Sequence, residues 1–187
     1  EWPEDIQEMG RQLQSCLQAL APLRRAAGEA QSEQLVARLR TLAEEWQLLN
    51  PDCGCALEWP PQLERAHWRW PDDGLLHHAL WNLLDNGARA GGPLALTLIA
   101  EAQQLVISVT DNGPGFPAWL LADEPAPTPP QGMGLGVMLV RTAMELCGGR
   151  LQLFNLAEGA CARLLLPLAY VQTGGRAPHV LGPAGEG

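Results

Sequence analysis

A chain of 187 residues that is 47% hydrophobic holds enough apolar side chains for one domain of ordinary size with a short appendage. Only 18% of it is charged, and the formal net charge of −9 argues against nucleic acid or an anionic membrane surface as a main partner. No apolar run reaches the roughly 20 residues of a membrane span, and no signal peptide opens the chain. The abrupt start suggests a fragment.

Residues 4–27 read as a helix. Ile6, Met9, Leu13, Cys16, Leu17, Leu20 and Leu23 recur at spacings of three and four and form one apolar stripe. Pro22 should kink it, and Gly28 is a plausible stop. An amphipathic helix of this kind needs a partner, either another helix or a second copy of the chain. A second helix is predicted over 32–48, entered at Ser32, with Leu35, Leu39, Leu42 and Trp46 on its inner face. Asn50-Pro51-Asp52 breaks the chain. Two short strands are expected near 54–58 and 66–70, separated by Pro60-Pro61. A helix over 74–90 comes next, capped by Asp72 or Asp73 and ended by Gly91-Gly92-Pro93.

Residues 94–100 and 104–110 predict a hairpin of strands. The proline-rich stretch 117–131 reads as a loop. A helix over 135–147 leads through Gly148-Gly149 to a second hairpin, 150–156 and 160–166, turning at Glu158-Gly159. The stretch 171–187, rich in Gly and Pro, is expected to be disordered. The sum is an α+β domain: a mixed or antiparallel sheet with helices on one face. The five cysteines, at 16, 53, 55, 147 and 161, are odd in number and do not suit a disulfide framework. Cys53-Gly-Cys55 lacks the second ligand pair of a structural zinc site, so free thiols packed in a reducing cytoplasm are expected.

Three short motifs carry chemistry. On the helix 74–90, Asn82, Asn86 and Arg89 fall within an arc of roughly 60° beside the apolar face formed by Leu76, Ala79, Leu80, Leu83 and Leu84. An amide oxygen is a neutral, hard ligand that suits Mg²⁺, and the planar fork of Arg89 suits a phosphate. The same row would also make an exposed polar stripe. Gly87 costs helix stability on the order of 1 kcal/mol relative to Ala, which points to close approach by a neighbour. In the second motif, Asp111-Asn-Gly113-Pro-Gly115, Asp111 shares strand parity with Leu105, Ile107 and Val109 and so points into the core. A buried carboxylate needs a donor, and the exocyclic amine of adenine is one. Gly113 and Gly115 let the backbone turn tightly, though Asp-Asn-Gly also serves as a plain turn. The third motif, Gly132-Met-Gly134-Leu135-Gly136, stands directly before a helix, where free N–H groups attract anions. A flexible glycine loop remains the alternative.

In this order the motifs resemble those of bacterial sensor histidine kinases. Asn82-x₃-Asn86 is similar to their N box, Asp111-x-Gly113-x-Gly115 to the G1 box and Gly132-Met-Gly134-Leu135-Gly136 to the G2 box. Met144-Glu-Leu-Cys-Gly-Gly-Arg150 and Ala162-Arg-Leu-Leu-Leu-Pro167 are similar to the usual end of that domain. The likeness spans about residues 33–168, and the wider group is the GHKL ATPases. The helix pattern and the Met-Gly-Leu-Gly box also resemble RegB/PrrB-type redox kinases.

The resemblance implies a Bergerat-type two-layer α/β sandwich that binds ATP with Mg²⁺. Asp111 would read adenine and Asn86 would hold Mg²⁺. Arg89 with the backbone of Gly134, Leu135 and Gly136 would bind phosphates, with Asn82 on the phosphate side and 116–131 as the lid. Asn82 and Asn86 would be the catalytic pair. Residues 1–30 would be part of a dimerisation helix, 31–169 the catalytic domain and 170–187 a tail. The departures are Gly87 where Ala is usual, a short lid rich in proline, and no phosphoacceptor box, since His67, His77, His78 and His179 lack its context. The histidine would lie outside this chain, in the dimerisation domain of the same homodimeric kinase. A response regulator would be the downstream partner, and the location would be the cytoplasmic side of an inner-membrane-anchored sensor. Two other readings stay open: a GHKL ATPase or protein serine kinase, and a non-catalytic module that senses ATP or dimerises.

Overall fold

The computed structural model describes residues 34–71, 73–122 and 135–175. The helix expected over 4–27, Ser32, Asp72, Gly132, Gly134 and the tail beyond 175 lie outside these residues. In chain order the elements are α1 (Leu35–Leu49), β1 (Cys55–Glu58), a 3₁₀ turn (Pro61–Arg65), α2 (Leu75–Ala90), β2 (Leu94–Glu101), β3 (Gln104–Asp111), α3 (Ala118–Leu121), α4 (Leu135–Leu146), β4 (Arg150–Asn155), β5 (Ala160–Pro167) and α5 (Leu168–Gln172).

The strands form one mixed sheet in the order β1-β2-β3-β5-β4, with β1 parallel to β2 and every other pair antiparallel. Register decides the two faces. Leu96, Val109, Ala162 and Leu153 form one cross-strand row, and Leu98, Ile107, Leu164 and Leu151 form the next; all of them join the hydrophobic core. The adjacent row on the opposite face is Thr97, Ser108, Arg163 and Gln152. The row beyond it on that face, Ile99, Val106, Leu165 and Arg150, is partly apolar, but the continuous apolar rows lie on the first face and the helices pack there, which gives two layers.

The helix α2 buries Leu76, Ala79, Leu80, Leu83, Leu84 and Gly87. The face read from periodicity is thus the buried one, widened by Gly87. A methyl group at Gly87 would stand 2.7 Å from Leu94 Cδ2 and 3.6 Å from Asp111 Cβ, so this helix lies closer to the sheet than an alanine comfortably allows. Its other side is tied to α1: the fully buried Trp46 donates from Nε1 to Asp85 Oδ1 at 2.8 Å. At its N-terminus, Gly74 (φ 77°) takes the cap position, while Asp73, one residue before it, accepts from Leu75 N at 2.9 Å.

Three sequence expectations are corrected. The stretch 66–70 is not a strand of the sheet. Arg69 makes one isolated bridge to Gln34, Trp68 O accepts from Leu35 N, and Arg69 N donates to Val171 O, so the ends of α1 and α5 take these polar groups. The proline-rich stretch is not loop throughout, because α3 comes directly after Pro117, whose carbonyl accepts from Leu120 N and Leu121 N. The C-terminal tail does not begin at 170: α5 buries Tyr170 and Val171, and the Tyr170 hydroxyl donates to Asp73 Oδ2 at 2.5 Å. Two apolar anchors and a half-buried hydrogen bond outweigh the glycine and proline content beyond them.

Cys53 precedes β1, with its Sγ against Gly92 O at 3.4 Å. Burial with the neighbouring Cys53 pushes the Cys55 thiol up to about 11, and burial pushes Cys147 up to about 12. Burial raises Cys161 as well. Among the described residues no group of three or more His, Cys, Asp or Glu side chains could hold a metal ion, and no helix is long and apolar enough to cross a membrane.

Trp46→Phe leaves the Asp85 carboxylate without its indole donor and is expected to destabilise the fold by about 2 kcal/mol in chemical denaturation. Thiol burial fixes the sign of an alkaline effect. Thiols with an ordinary value of 9.0 release protons in the unfolded chain before the folded one does, so their contribution is complete below pH 9.0 and is lost as pH rises through about 11 and 12. The melting temperature should fall across that window, and less steeply in Cys147→Ala.

Candidate functional site

Asp111 ends β3 and is 9% exposed. The parity argument holds, since Leu105, Ile107 and Val109 on the same side of the strand are all in the core. One carboxylate oxygen, Oδ1, accepts from Gly113 N at 2.8 Å. Oδ2 has no hydrogen-bond partner among the described residues and is accessible from the cavity that Asp111 lines, so an acceptor is left for a ligand. The turn is tight because a methyl at Gly113 would stand 2.5 Å from Ala90 Cβ and 3.0 Å from Ala90 O. The end of β3 thereby packs against the end of α2.

Above Asp111 lies a cavity of about 370 Å³. Leu83, Asn86, Gly87 and Ala90 of α2 form one wall. Val109, Asp111, Ala160 and Ala162 form the floor. The floor is low for a reason set by register: Asp111 pairs with Ala160 and Val109 with Ala162, so the neighbouring strand offers only methyl groups. Pro114 to Pro117 together with Leu120 form the facing wall, and Val137 of α4 closes one end. The cavity is mostly apolar, with Asp111, Asn86 and Arg89 as its polar side chains, the general character of a site for a flat organic ligand. Arg89 is solvent-exposed and sits at the rim.

The other motif residues fall in different places. Gly136, in the first turn of α4, meets the polar edge of α2: a methyl there would stand 3.1 Å from Asn86 Nδ2 and 3.4 Å from Asn82 Oδ1. The first and third motifs therefore touch. Asn82 does not line the cavity, and its Nδ2 turns back along α2 to donate to His78 O at 2.9 Å. Leu135 begins α4 at 38% exposure and does not line the cavity either. Gly113 shapes the site through Asp111 rather than by lining it. Gly115 lines it with φ 88°, a backbone angle that favours glycine. Sequence reading placed Phe116, Pro117 and Leu120 in the expected lid 116–131 without singling them out, and it missed Ala160 and Ala162 on the floor altogether. No short-range pattern says which of these residues faces Asp111.

Comparison with known proteins places this geometry in a family. Residues 72–170 match the family model described as histidine kinase-, DNA gyrase B-, and HSP90-like ATPase. Sensor protein KdpD of Escherichia coli is 30% identical over 152 residues, covering 67% of this chain and 16% of that protein. Sensor protein CseC of Streptomyces avermitilis is 36% identical over 113 residues, covering 51% of this chain and 23% of that protein. The C4-dicarboxylate transport sensor protein DctB of Pseudomonas aeruginosa is 38% identical over 102 residues, covering 50% and 17%. The chain thus spans less than a quarter of the length of each of these relatives. Among solved structures, the nucleotide-free catalytic domain of the histidine kinase ThkA superposes with a TM-score of 0.56 at 24% identity, covering 69% of this chain and 91% of that one. The mycobacterial sensor histidine kinase MprB superposes with a TM-score of 0.54 at 22% identity, covering 71% and 93%. A mixed sheet helix-covered on one face, a half-committed carboxylate at the end of its middle strand, and a family match over the residues that build both lead to one assignment: the chain belongs to the histidine kinase-, DNA gyrase B-, and HSP90-like ATPases.

Proposed function

We propose that this domain binds Mg-ATP and presents its γ-phosphoryl group to a histidine that lies outside the described residues, in the dimerisation domain of the same kinase. The observation that carries the reading is Asp111: a carboxylate 9% exposed, with one oxygen committed to Gly113 N and the other open to a cavity that is otherwise largely apolar. That oxygen accepts from the exocyclic amine of adenine while the ring lies between α2 and the Phe116–Pro117 wall. The phosphates then run toward Asn86, Arg89 and the start of α4, with the glycine loop before α4 supplying N–H groups. The residues present fit a magnesium ion: Asn86 offers a neutral amide oxygen, and the absence of a side chain at Gly136 leaves space beside it. When bound, the ion draws charge from the phosphate oxygens.

The chemistry asks the domain for positioning and charge neutralisation rather than for a covalent step. A histidine nitrogen attacks the γ-phosphorus in line, a bond from nitrogen to phosphorus forms, and the bond to the β–γ bridging oxygen breaks to release ADP. Arg89 neutralises charge at the rim, and the buried walls exclude water from the base. The group that takes the histidine proton belongs beside that histidine. The same reading carries a wider setting, in which 31–169 with α5 is the ATP-binding unit and the dimerisation segment assigned to 1–30 lies outside the described residues. In it the homodimeric kinase is anchored at a membrane with this domain in the cytoplasm, and a response regulator receives the phosphoryl group.

A second reading, an ATPase or serine kinase of the same family, needs a general base one helical turn before Asn86. Asn82 stands there, and an amide whose Nδ2 already donates to His78 O is not a base. Asp111→Asn is expected to weaken ADP binding about a hundredfold in calorimetry, because the new amide turns a donor toward the adenine amine. With radiolabelled ATP, the 187-residue chain should label a supplied dimerisation domain carrying the phosphoacceptor histidine and should not label itself. Self-labelling at histidine, or rapid ATP hydrolysis with no acceptor present, would count against the kinase reading.

A further inference from the structure

Asn155 is the last residue of β4 and belongs to none of the three motifs. Its side chain takes both main-chain polar groups of Phe116: Oδ1 accepts from Phe116 N at 2.7 Å, and Nδ2 donates to Phe116 O at 2.9 Å. Only this orientation of the carboxamide satisfies both contacts. One side chain thereby does for Phe116 what a neighbouring strand does for a residue in an antiparallel pair. The approach requires glycine at 115, where a methyl group would stand 2.8 Å from Asn155 Oδ1 and where φ is 88°.

The clamp is tied to the adenine end of the cavity by register. Asn155 pairs with Ala160, and Ala160 pairs on its other side with Asp111. The carboxylate and the clamp therefore lie in one cross-strand row, with the cavity floor between them. From that row Asn155 holds Phe116 and Pro117, which form the wall facing α2, and Pro117 O in turn starts α3 and brings Leu120 to the same wall. A wall built from irregular backbone has no ladder of its own to set its distance from the floor, and the Asn155 carboxamide supplies one.

We infer that Asn155 is a positioning residue for the purine ring: it sets the Phe116–Pro117 wall at the distance from α2 that a flat base, its amine on Asp111, requires. The inference rests on the nucleotide reading of this cavity. Both hydrogen bonds lie on the exposed side of the wall and compete with water, so their loss loosens the wall without removing the core.

The test uses the 187-residue chain, with ADP and adenosine as probes. In Asn155→Ala the dissociation constant for ADP should rise about tenfold, and that for adenosine by the same factor, because the base and not the phosphates loses its seat. Amide exchange at Phe116 should accelerate while exchange in β3 and β5 stays at the wild-type rate. Asn155→Asp keeps the shape and the acceptor but turns an oxygen toward Phe116 O, so it should lose ADP affinity as well. A folded variant of either kind that binds ADP as tightly as the wild type overturns the inference. Unfolding of both variants overturns it too, since Asn155 would then be holding the sheet. A wild-type chain that binds no ADP sinks the nucleotide reading itself, a result distinct from a variant that matches a binding-competent wild type.

Discussion

The structure turns on the burial of one carboxylate. Asp111 sits at the end of the middle strand, 9% exposed, where an ionised group has little water to solvate it. Among the described residues its side chain takes one hydrogen bond, from Gly113 N. The surrounding chain is fitted around this junction at contact distance. Gly87 lets α2 lie against it, Gly113 turns away beneath Ala90, and a methyl at Gly159 would collide with Asp111 O, so the turn between β4 and β5 rests directly on the backbone of β3. A site crowded by backbone on three sides and open on the fourth is preorganised for one ligand group. The cost of keeping a carboxylate oxygen uncommitted is offset when that group arrives.

The second requirement is that α2 be rigid, because it carries Asn82, Asn86 and Arg89 along one edge. Three separate interactions hold it. Its apolar face packs on the sheet, Trp46 of α1 grips Asp85 from behind, and Asp73 joins its first turn to Tyr170 of α5. The last of these ties α5 to the start of the helix that bears the polar edge. Raised thiol and phenol values at Cys147 and Tyr170 reflect the same dry environment, since burial disfavours their charged forms. Rigid support of this kind suits a site whose chemistry rests on placement.

Much of this was legible in the sequence, and for a common reason. Periods of 3.6 and 2 report which side of an element is buried, and α2 and β3 both kept the faces that periodicity assigned to them. Asp111 was readable because three core residues share its parity. Gly87 was readable as a close approach, though not as an approach to Leu94 and Asp111. The misread segments were those whose hydrogen bonds are satisfied by distant chain. The stretch 66–70 looked like a strand because Ala66, Trp68 and Trp70 alternate with His67 and Arg69, but its backbone polar groups go to the ends of α1 and α5. The beginning of the expected tail looked disordered because the glycines and prolines beyond α5 dominate the composition of that stretch.

By itself, then, the sequence determined the longer helices and the strands of the two hairpins, their buried faces, the inward carboxylate and the polar edge of α2, because each depends on the local geometry of one helix or strand. Only the tertiary structure decided which residues meet. It set Gly136 against Asn86, turned Asn82 back to His78, placed two alanines beneath the cavity, and bound Phe116 to Asn155 across 39 positions of chain. These are matters of strand order and register. No short-range pattern encodes them, because the energy that fixes them comes from packing the whole sheet against its helices.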